Sequence, residues 1–292
     1  YLSSPTDLRP KFHLYHPNIA LLTGIAWDHI NVFPTFENYV RQFEIFLDKI
    51  APDGALVYCS ADAEVKRISE DHSGLWKKIP YAVHPHVVRD GVTFLNTPEG
   101  EVPLIIFGEH NLQNLQGALE VCRLMGISDA DFYNAMKSFK GAARRLEPVK
   151  ETSNSVIYKD FAHSPSKLKA TTAAFKAQFS GRRLVACMEL HTFSSLNANF
   201  LGEYKDSMKA ADKAYVYFNP HTIEHKKLPP ISPQQVKDAF ASDNVEVFTD
   251  SKLLMHELKI QPWRDANLLL MTSGNFDGVD FMQLADELLP SA

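Results

Sequence analysis

The sequence predicts an α/β protein in two parts, the second a small doubly wound parallel sheet, and three observations carry that reading. After about residue 143 strand and helix patterns alternate five times, the grammar of a parallel sheet with right-handed crossovers. Before that point a strand, a helix and a second strand follow one another, then give way to short alternating runs that suit an antiparallel excursion. The 292 residues, 45% apolar and 22% charged, are enough for two ordinary globular domains and exclude disordered and fibrous classes.

The first seventeen residues, YLSSPTDLRPKFHLYHP, form a polar, Pro-containing stretch with no basic n-region, no apolar h-region and no initiating Met, so the chain reads as starting mid-protein. Residues 18–23 are an apolar run of strand length that ends in the polar loop Gly24-Ile25-Ala26-Trp27-Asp28-His29. Apolar positions recur at helical spacing over 36–50, and Pro52-Asp53-Gly54 turns the chain into a strand over 55–59. Residues 79–107 carry the antiparallel signals, 111–125 read as a helix stopped by Gly126, and 128–138 as a helix favoured by its Asp-rich start. A reset near residue 142 marks the domain boundary, giving parts 1–142 and 143–292. In the second part strands are predicted over 156–161, 183–189, 214–219, 245–248 and 267–272. Helices are predicted over 165–179, 198–210, 232–240, 251–258 and 279–288.

The formal charge of −5 leaves no basic excess for nucleic acid. Apolar runs such as 268–271 fall far short of the roughly 18–20 residues of a membrane span. Cys59, Cys122 and Cys187 sit in apolar runs without CxxC spacing, which points to buried reduced thiols and a reducing cytoplasm.

Several strand-end motifs could carry chemistry. Asp28-His29 sets a carboxylate beside an imidazole, able to hold a divalent metal or move a proton, although a lone loop His is more often bland. His110-Asn111-Leu112-Gln113-Asn114 puts two amides on one helical face; an N-cap plus a surface Asn is the plainer reading. Arg144-Arg145-Leu146-Glu147 offers guanidinium forks suited to phosphate or carboxylate, or simply a solvated pair. Asp160-Phe161-Ala162-His163-Ser164-Pro165 ends a strand and opens a helix, with Ser164 as its cap and Pro165 in its first turn. Glu189-Leu190-His191 and Ser273-Gly274-Asn275-Phe276-Asp277-Gly278 follow strands on what should be the same sheet edge, where α/β proteins place ligands.

As a set, in this order and spacing, these motifs resemble the Mur ligases over nearly the whole chain: Asp28-His29, HNxxN at 110–114, the Arg-Arg-Leu-Glu hinge, a DFAHxP turn at 160–165 and SGxFxG at 273–278. YLSSPTDLRPKFHLYHP, DHINVF with RQF at 41–43, and GEHNLQN look most like the branch that recycles murein tripeptide; the branch adding L-alanine to UDP-N-acetylmuramate is the runner-up. The resemblance implies the C-terminal part of a central ATPase domain followed by a Rossmann-like C-terminal domain. It also implies ATP and Mg2+ as cofactors, and amide-bond formation between UDP-N-acetylmuramate and L-Ala-γ-D-Glu-meso-diaminopimelate through an acyl phosphate. It makes His29 a magnesium ligand with Asp28 beside it, and Asn111 and Asn114 nucleotide contacts. Arg145, with Arg144, resembles the phosphate-reaching arginine, and Asp160 and His163 the residues that meet ribose and the reaction centre. His191, Ser194, Ser273 and Asn275 face the incoming peptide or amino acid.

No GxxxxGK[ST] occurs, and the resemblance puts that phosphate loop upstream of this chain, so a truncated polypeptide that does not catalyse alone is expected. Two departures fall on the acceptor side: Lys159 stands where relatives often have an acid and Ser164 where they have histidine, and the loop over 189–195 lacks the expected arginine. A non-catalytic nucleotide- or partner-binding module is the alternative from another class.

Overall fold

The computed structural model describes residues 2–290, so Tyr1 of the opening motif lies outside the described residues. They divide into two units between Phe139 and Lys140, the first with two three-stranded sheets and the second with one six-stranded sheet.

In the first unit β1 (Ile19–Leu22), β2 (Ala55–Cys59) and β3 (Lys77–Tyr81) form a parallel sheet in that order. The helix α1 (Phe36–Leu47) starts where the Thr35 hydroxyl accepts the Asn38 amide, and it buries Val40 and Leu47 against Leu22, Leu56 and Tyr58. Next, α2 (Ala63–Asp71) begins at Asp62, whose Oδ1 accepts the Glu64 and Val65 amides while Oδ2 accepts the Ile25 amide at 3.0 Å. A single carboxylate thereby caps a helix and ties down the loop after β1.

The antiparallel excursion begins later than predicted. Residues 77–81 instead extend the parallel sheet as an edge strand that tolerates Pro80, and the antiparallel sheet consists of β4 (His86–Arg89), β5 (Val92–Thr97) and β6 (Gly100–Leu104). Two helices follow, α3 (Glu109–Leu124) and α4 (Asp129–Met136), the latter capped by Ser128. At Gly117, α3 lies so close to the sheet that an added Cβ would sit 2.8 Å from the Tyr81 ring and 2.9 Å from Leu21.

The second unit contains β7 (Glu147–Glu151), β8 (Val156–Asp160), α5 (Pro165–Gln178), β9 (Arg183–Glu189), β10 (Lys213–Tyr217), α6 (Pro220–His225), α7 (Pro233–Phe240), β11 (Val245–Phe248), α8 (Ser251–Ile260), β12 (Ala266–Met271) and α9 (Phe281–Leu288). Its six-stranded sheet has the order β11-β10-β9-β12-β8-β7, parallel except between β7 and β8. Every residue of β12 is buried, as expected for a strand covered on both faces. Leu268 and Leu270 join Val185, Cys187 and Tyr217 in a core shared with Leu254 and Leu258 of α8 and Leu284 of α9. On the other face the Thr172 hydroxyl of α5 reaches Met271 Sδ at 3.8 Å, and the Tyr158 ring lies 5.2 Å from Phe175. Helices on both faces make the sheet doubly wound, as predicted.

Three elements of this unit differ from expectation, among them the short α6, which was not anticipated. The strand β7 was not anticipated, since Glu147-Pro148-Val149-Lys150-Glu151 has little strand character and is held by pairing at the sheet edge. The helix expected over 198–210 is a 3₁₀ turn at Leu201–Tyr204 among further turns. Phe200, Leu201, Tyr204 and Met208 are buried at helical spacing, but Asp206 adopts φ 58 and its amide bonds the Phe240 carbonyl at 3.0 Å, so a tertiary partner displaces the helical one.

Candidate functional site

In the first unit the loop after β1 folds back on itself. The buried Asp28 turns Oδ1 to the amide of His29 at 2.7 Å, and His29 takes φ 55 while its carbonyl accepts the Val32 and Phe33 amides. The described residues contain no group of three or more His, Cys, Asp or Glu side chains able to hold a metal. A lone imidazole and one carboxylate do not make a metal cage, though they suit an ion bound mostly by phosphate oxygens and water. At the entry to α3, Gly108, with φ 92, occupies the N-cap position predicted for Asn111. Asn111 lies in the first turn, its Nδ2 donating to the Phe107 carbonyl at 2.8 Å, and Asn114 is exposed one turn further along.

In the second unit the polar motifs gather at the carboxyl ends of the strands. Asp160, 5% exposed, ends β8 and spends both oxygens on backbone: Oδ2 accepts the Leu146 amide at 2.7 Å and Oδ1 the Ala162 amide at 2.6 Å. The Phe161 amide bonds back to the Arg144 carbonyl at 2.9 Å, so residues 144–146 are stitched to the end of β8. Arg144 and Leu146 take φ 61 and 42, while the exposed Arg145 places its guanidinium 5.7 Å from the Phe161 ring. Lys159 pairs with Glu147 at 3.0 Å across the β7–β8 register; together with the Arg144 amide it holds the Glu147 carboxyl below its usual range. The unexpected lysine thus has a structural partner. His163 Nδ1 lies 2.8 Å from the Phe161 carbonyl, and the Tyr204 hydroxyl donates to the His163 carbonyl at 2.5 Å. Ser164 is the N-cap residue of α5 with Pro165 next, but its side chain makes no capping bond.

The end of β9 holds a residue that sequence reasoning did not include among the site residues. Glu189, 2% exposed, accepts the Thr272 hydroxyl and, at 2.9 Å, the Phe276 amide through Oε2, while Oε1 lies 3.6 Å from His191 Nδ1. Burial pushes the Glu189 carboxyl up, but the His191, Thr272 and Phe276 contacts outweigh it and hold the group below its usual range. Beyond His191, hydrogen bonds between Thr192 and Ser195 close a tight turn that buries Ser194.

The turn after β12 wraps the same carboxylate. The Gly274 amide bonds Thr272 Oγ1 at 2.7 Å, and a Cβ at Gly274 would come 2.8 Å from Glu189 Oε2. Ser273 Oγ is enclosed without a hydrogen-bond partner, and Asn275 Oδ1 accepts the Gly278 amide at 3.0 Å. Phe276, Asp277 and Gly278 take φ 49, 60 and 86 in succession. Asp277 accepts the Tyr217 hydroxyl and Asn219 Nδ2, joining this turn to the end of β10 beside a cleft of about 600 Å³ that includes Asp250, His256 and Lys259. Burial, and then Asp277, push the Tyr217 hydroxyl up.

The fold therefore brings together Arg144, Arg145, Asp160 and His163 around β8, and His191, Ser273 and Asn275 around Glu189. Tyr217, Asn219 and Asp277 were not singled out; the signal for Glu189 and Asp277 was an acid at a strand end and inside the SGNFDG turn.

A doubly wound sheet with helices on both faces defines the class of Rossmann-like domains. Residues 9–122 match the Mur ligase middle domain, and residues 144–274 match the Mur ligase glutamate ligase domain. A UDP-N-acetylmuramate–L-alanine ligase of Roseiflexus sp. (strain RS-1) is 28% identical over 209 residues, covering 62% of this chain and 45% of that protein. The chain thus spans about half the length of this curated relative. Among solved structures, a murein peptide ligase of Psychrobacter arcticus aligns with TM-score 0.63 at 19% identity, over 100% of this chain and 62% of that one. The MurF ligase of Thermotoga maritima, in complex with ADP, aligns with TM-score 0.64 at 14% identity, over 94% of this chain and 61% of that one. The chain belongs to the Mur ligase family.

Proposed function

We propose that this chain is the part of an ATP-dependent amide-bond ligase that meets the nucleotide and the incoming amine, with residues 1–142 from a central ATPase domain and 143–292 the Rossmann-like C-terminal domain. The observation that carries the reading is that both Mur ligase domains are matched in one chain, 9–122 and 144–274. In this reading the carboxylate of UDP-N-acetylmuramate attacks the γ-phosphorus of ATP, ADP departs, and the amine attacks the resulting acyl phosphate. The tetrahedral intermediate then loses phosphate and a proton to leave the amide. Magnesium supplies positive charge that offsets the crowded phosphate and carboxylate oxygens. In this chain His29, beside Asp28, would offer it one ligand.

Asn111 and Asn114 face the nucleotide base from the start of α3. Arg145, exposed and tethered at its backbone, is free to swing its fork to a phosphate, with Arg144 beside it. Asp160 and His163 serve the ribose and reaction centre; because Asp160 already holds two amides, a ribose contact requires it to release or share one. His191, Ser194, Ser273 and Asn275 face the acceptor, and the enclosed, unpaired Ser273 hydroxyl is a ready donor for it. The acceptor is the murein tripeptide L-Ala-γ-D-Glu-meso-diaminopimelate; the L-alanine ligase name borne by the Roseiflexus relative favours L-alanine as the second reading.

The test measures ADP release by the protein expressed from its complete coding sequence, with UDP-N-acetylmuramate, ATP and Mg2+. Turnover with the tripeptide alone supports the first reading and turnover with L-alanine alone the second. ADP release at background with both acceptors refutes the ligase reading.

A further inference from the structure

We propose that Glu189 is the positioning residue of the acceptor side: one carboxylate oxygen shapes the turn after β12 and the other orients the His191 ring. The proposal rests on the ligase reading for the word acceptor, but its geometry stands alone. Glu189 ends the central strand β9, whose neighbours are β10 and β12, so its side chain lies beside the ends of both. Oε2 takes the Thr272 hydroxyl and the Phe276 amide, and the absence of a Cβ at Gly274 lets the turn close over it. Oε1 remains for His191 Nδ1 at 3.6 Å. That contact turns Nδ1 inward and leaves Nε2 for a substrate group, the same division of labour by which a carboxylate orients a catalytic or metal-binding imidazole.

Three sequence-predicted acceptor residues, His191, Ser273 and Asn275, are attached to the two segments Glu189 holds. A buried carboxylate is costly unless it is fully paired, and here its partners Thr272 and Phe276 lie 83 and 87 residues away, both on the turn after β12. Such a group sets the relative position of its partners. The ligand class is the primary amine of an α-amino acid or of a peptide N-terminus, whose nitrogen needs placing against the reacting carbonyl.

Two substitutions separate the two oxygens. In Glu189→Gln the carboxamide oxygen can still accept from Thr272 and Phe276, while its NH2 faces His191 and the ring loses its acceptor. In Glu189→Ala both functions go. In this chain, amide hydrogen exchange at Phe276 should be unchanged in Glu189→Gln and about 10- to 100-fold faster in Glu189→Ala, the loss of one hydrogen bond to a charged acceptor. In the protein from the complete coding sequence, Glu189→Gln should raise the KM for L-alanine or the tripeptide about 10-fold while kcat and the KM for ATP stay within about twofold.

Retained Phe276 protection in Glu189→Ala overturns the cradle. An unchanged acceptor KM in Glu189→Gln, or equal rises in the acceptor and ATP KM values, overturns the positioning role. If the wild-type protein releases no ADP with either acceptor, the ligase reading fails and the acceptor role goes with it, while Phe276 exchange still decides the cradle separately.

Discussion

Replacing Asp160 with alanine should cost the second unit about 2–4 kcal/mol. The carboxylate is 5% exposed and accepts two amides, from Leu146 at 2.7 Å and Ala162 at 2.6 Å. Hydrogen bonds to a charged group contribute about 1.5–3 kcal/mol each, or about 3–6 kcal/mol for the pair. Removing the buried charge returns roughly 1–2 kcal/mol of desolvation, which leaves the net figure above. Asp160→Asn keeps one acceptor but turns an NH2 toward the other amide, so about half the loss is expected. The assay is urea denaturation of this chain, with amide exchange at Leu146 and Ala162 reporting the local effect. A loss below about 0.5 kcal/mol, the size of an ordinary surface change, with Leu146 still protected would refute the claim that Asp160 holds residues 144–146 to β8.

Four further outcomes follow from the geometry. Gly274→Ala forces a Cβ to 2.8 Å from Glu189 Oε2 and should cost about 1–3 kcal/mol in urea denaturation, with faster exchange at Phe276. Gly117→Ala should destabilise the first unit by a similar amount, about 1–3 kcal/mol, because Tyr81 and Leu21 already fill the space beside α3; a neutral thermal melt would contradict it. Arg145 is exposed, and its guanidinium has no partner beyond the Phe161 ring among the described residues, so Arg145→Ala should change stability by less than about 0.5 kcal/mol yet raise the KM for ATP about 10-fold in the protein from the complete coding sequence.

The fourth concerns pH. His84 Nδ1 donates to the Pro85 carbonyl at 2.8 Å and Nε2 accepts the Tyr133 hydroxyl at 2.9 Å; burial lowers its pKa from 6.5. A depressed histidine pKa means the unfolded chain binds the proton first, so this stabilisation is complete above about pH 6.5 and is lost as the pH falls below it. His84→Gln should shrink the first unit's stability difference between about pH 7.5 and about pH 5.5, and an unchanged difference in urea midpoints would count against the buried neutral ring.

Much of the local structure was legible because it rests on short-range physics. The strands over 183–189, 245–248 and 267–272 are apolar runs too short for helices, and the structure has β9, β11 and β12 there. The Asp-rich start after Ser128 announced α4, which the Ser128 hydroxyl caps in the structure, and Gly126 stops α3. The region 198–210 misled for the converse reason: its buried residues recur at helical spacing, but the Asp206 amide finds the Phe240 carbonyl, which no local pattern encodes. Missing β7 has the same origin, since Pro148 and its charged neighbours become a strand only by pairing with β8.

By itself the sequence determined the two-part α/β architecture and the strand-end motifs that resemble the Mur ligases, because burial periodicity, caps and motif spacing are written within a few residues of one another. Only the tertiary structure decided the strand order, the occupation of both Asp160 oxygens and the convergence of Thr272, Gly274, Phe276 and His191 on Glu189. Those are contacts between residues up to 87 positions apart, and which donor meets which acceptor at that range is set by sheet register and packing, quantities that exist only once the whole chain has closed on itself.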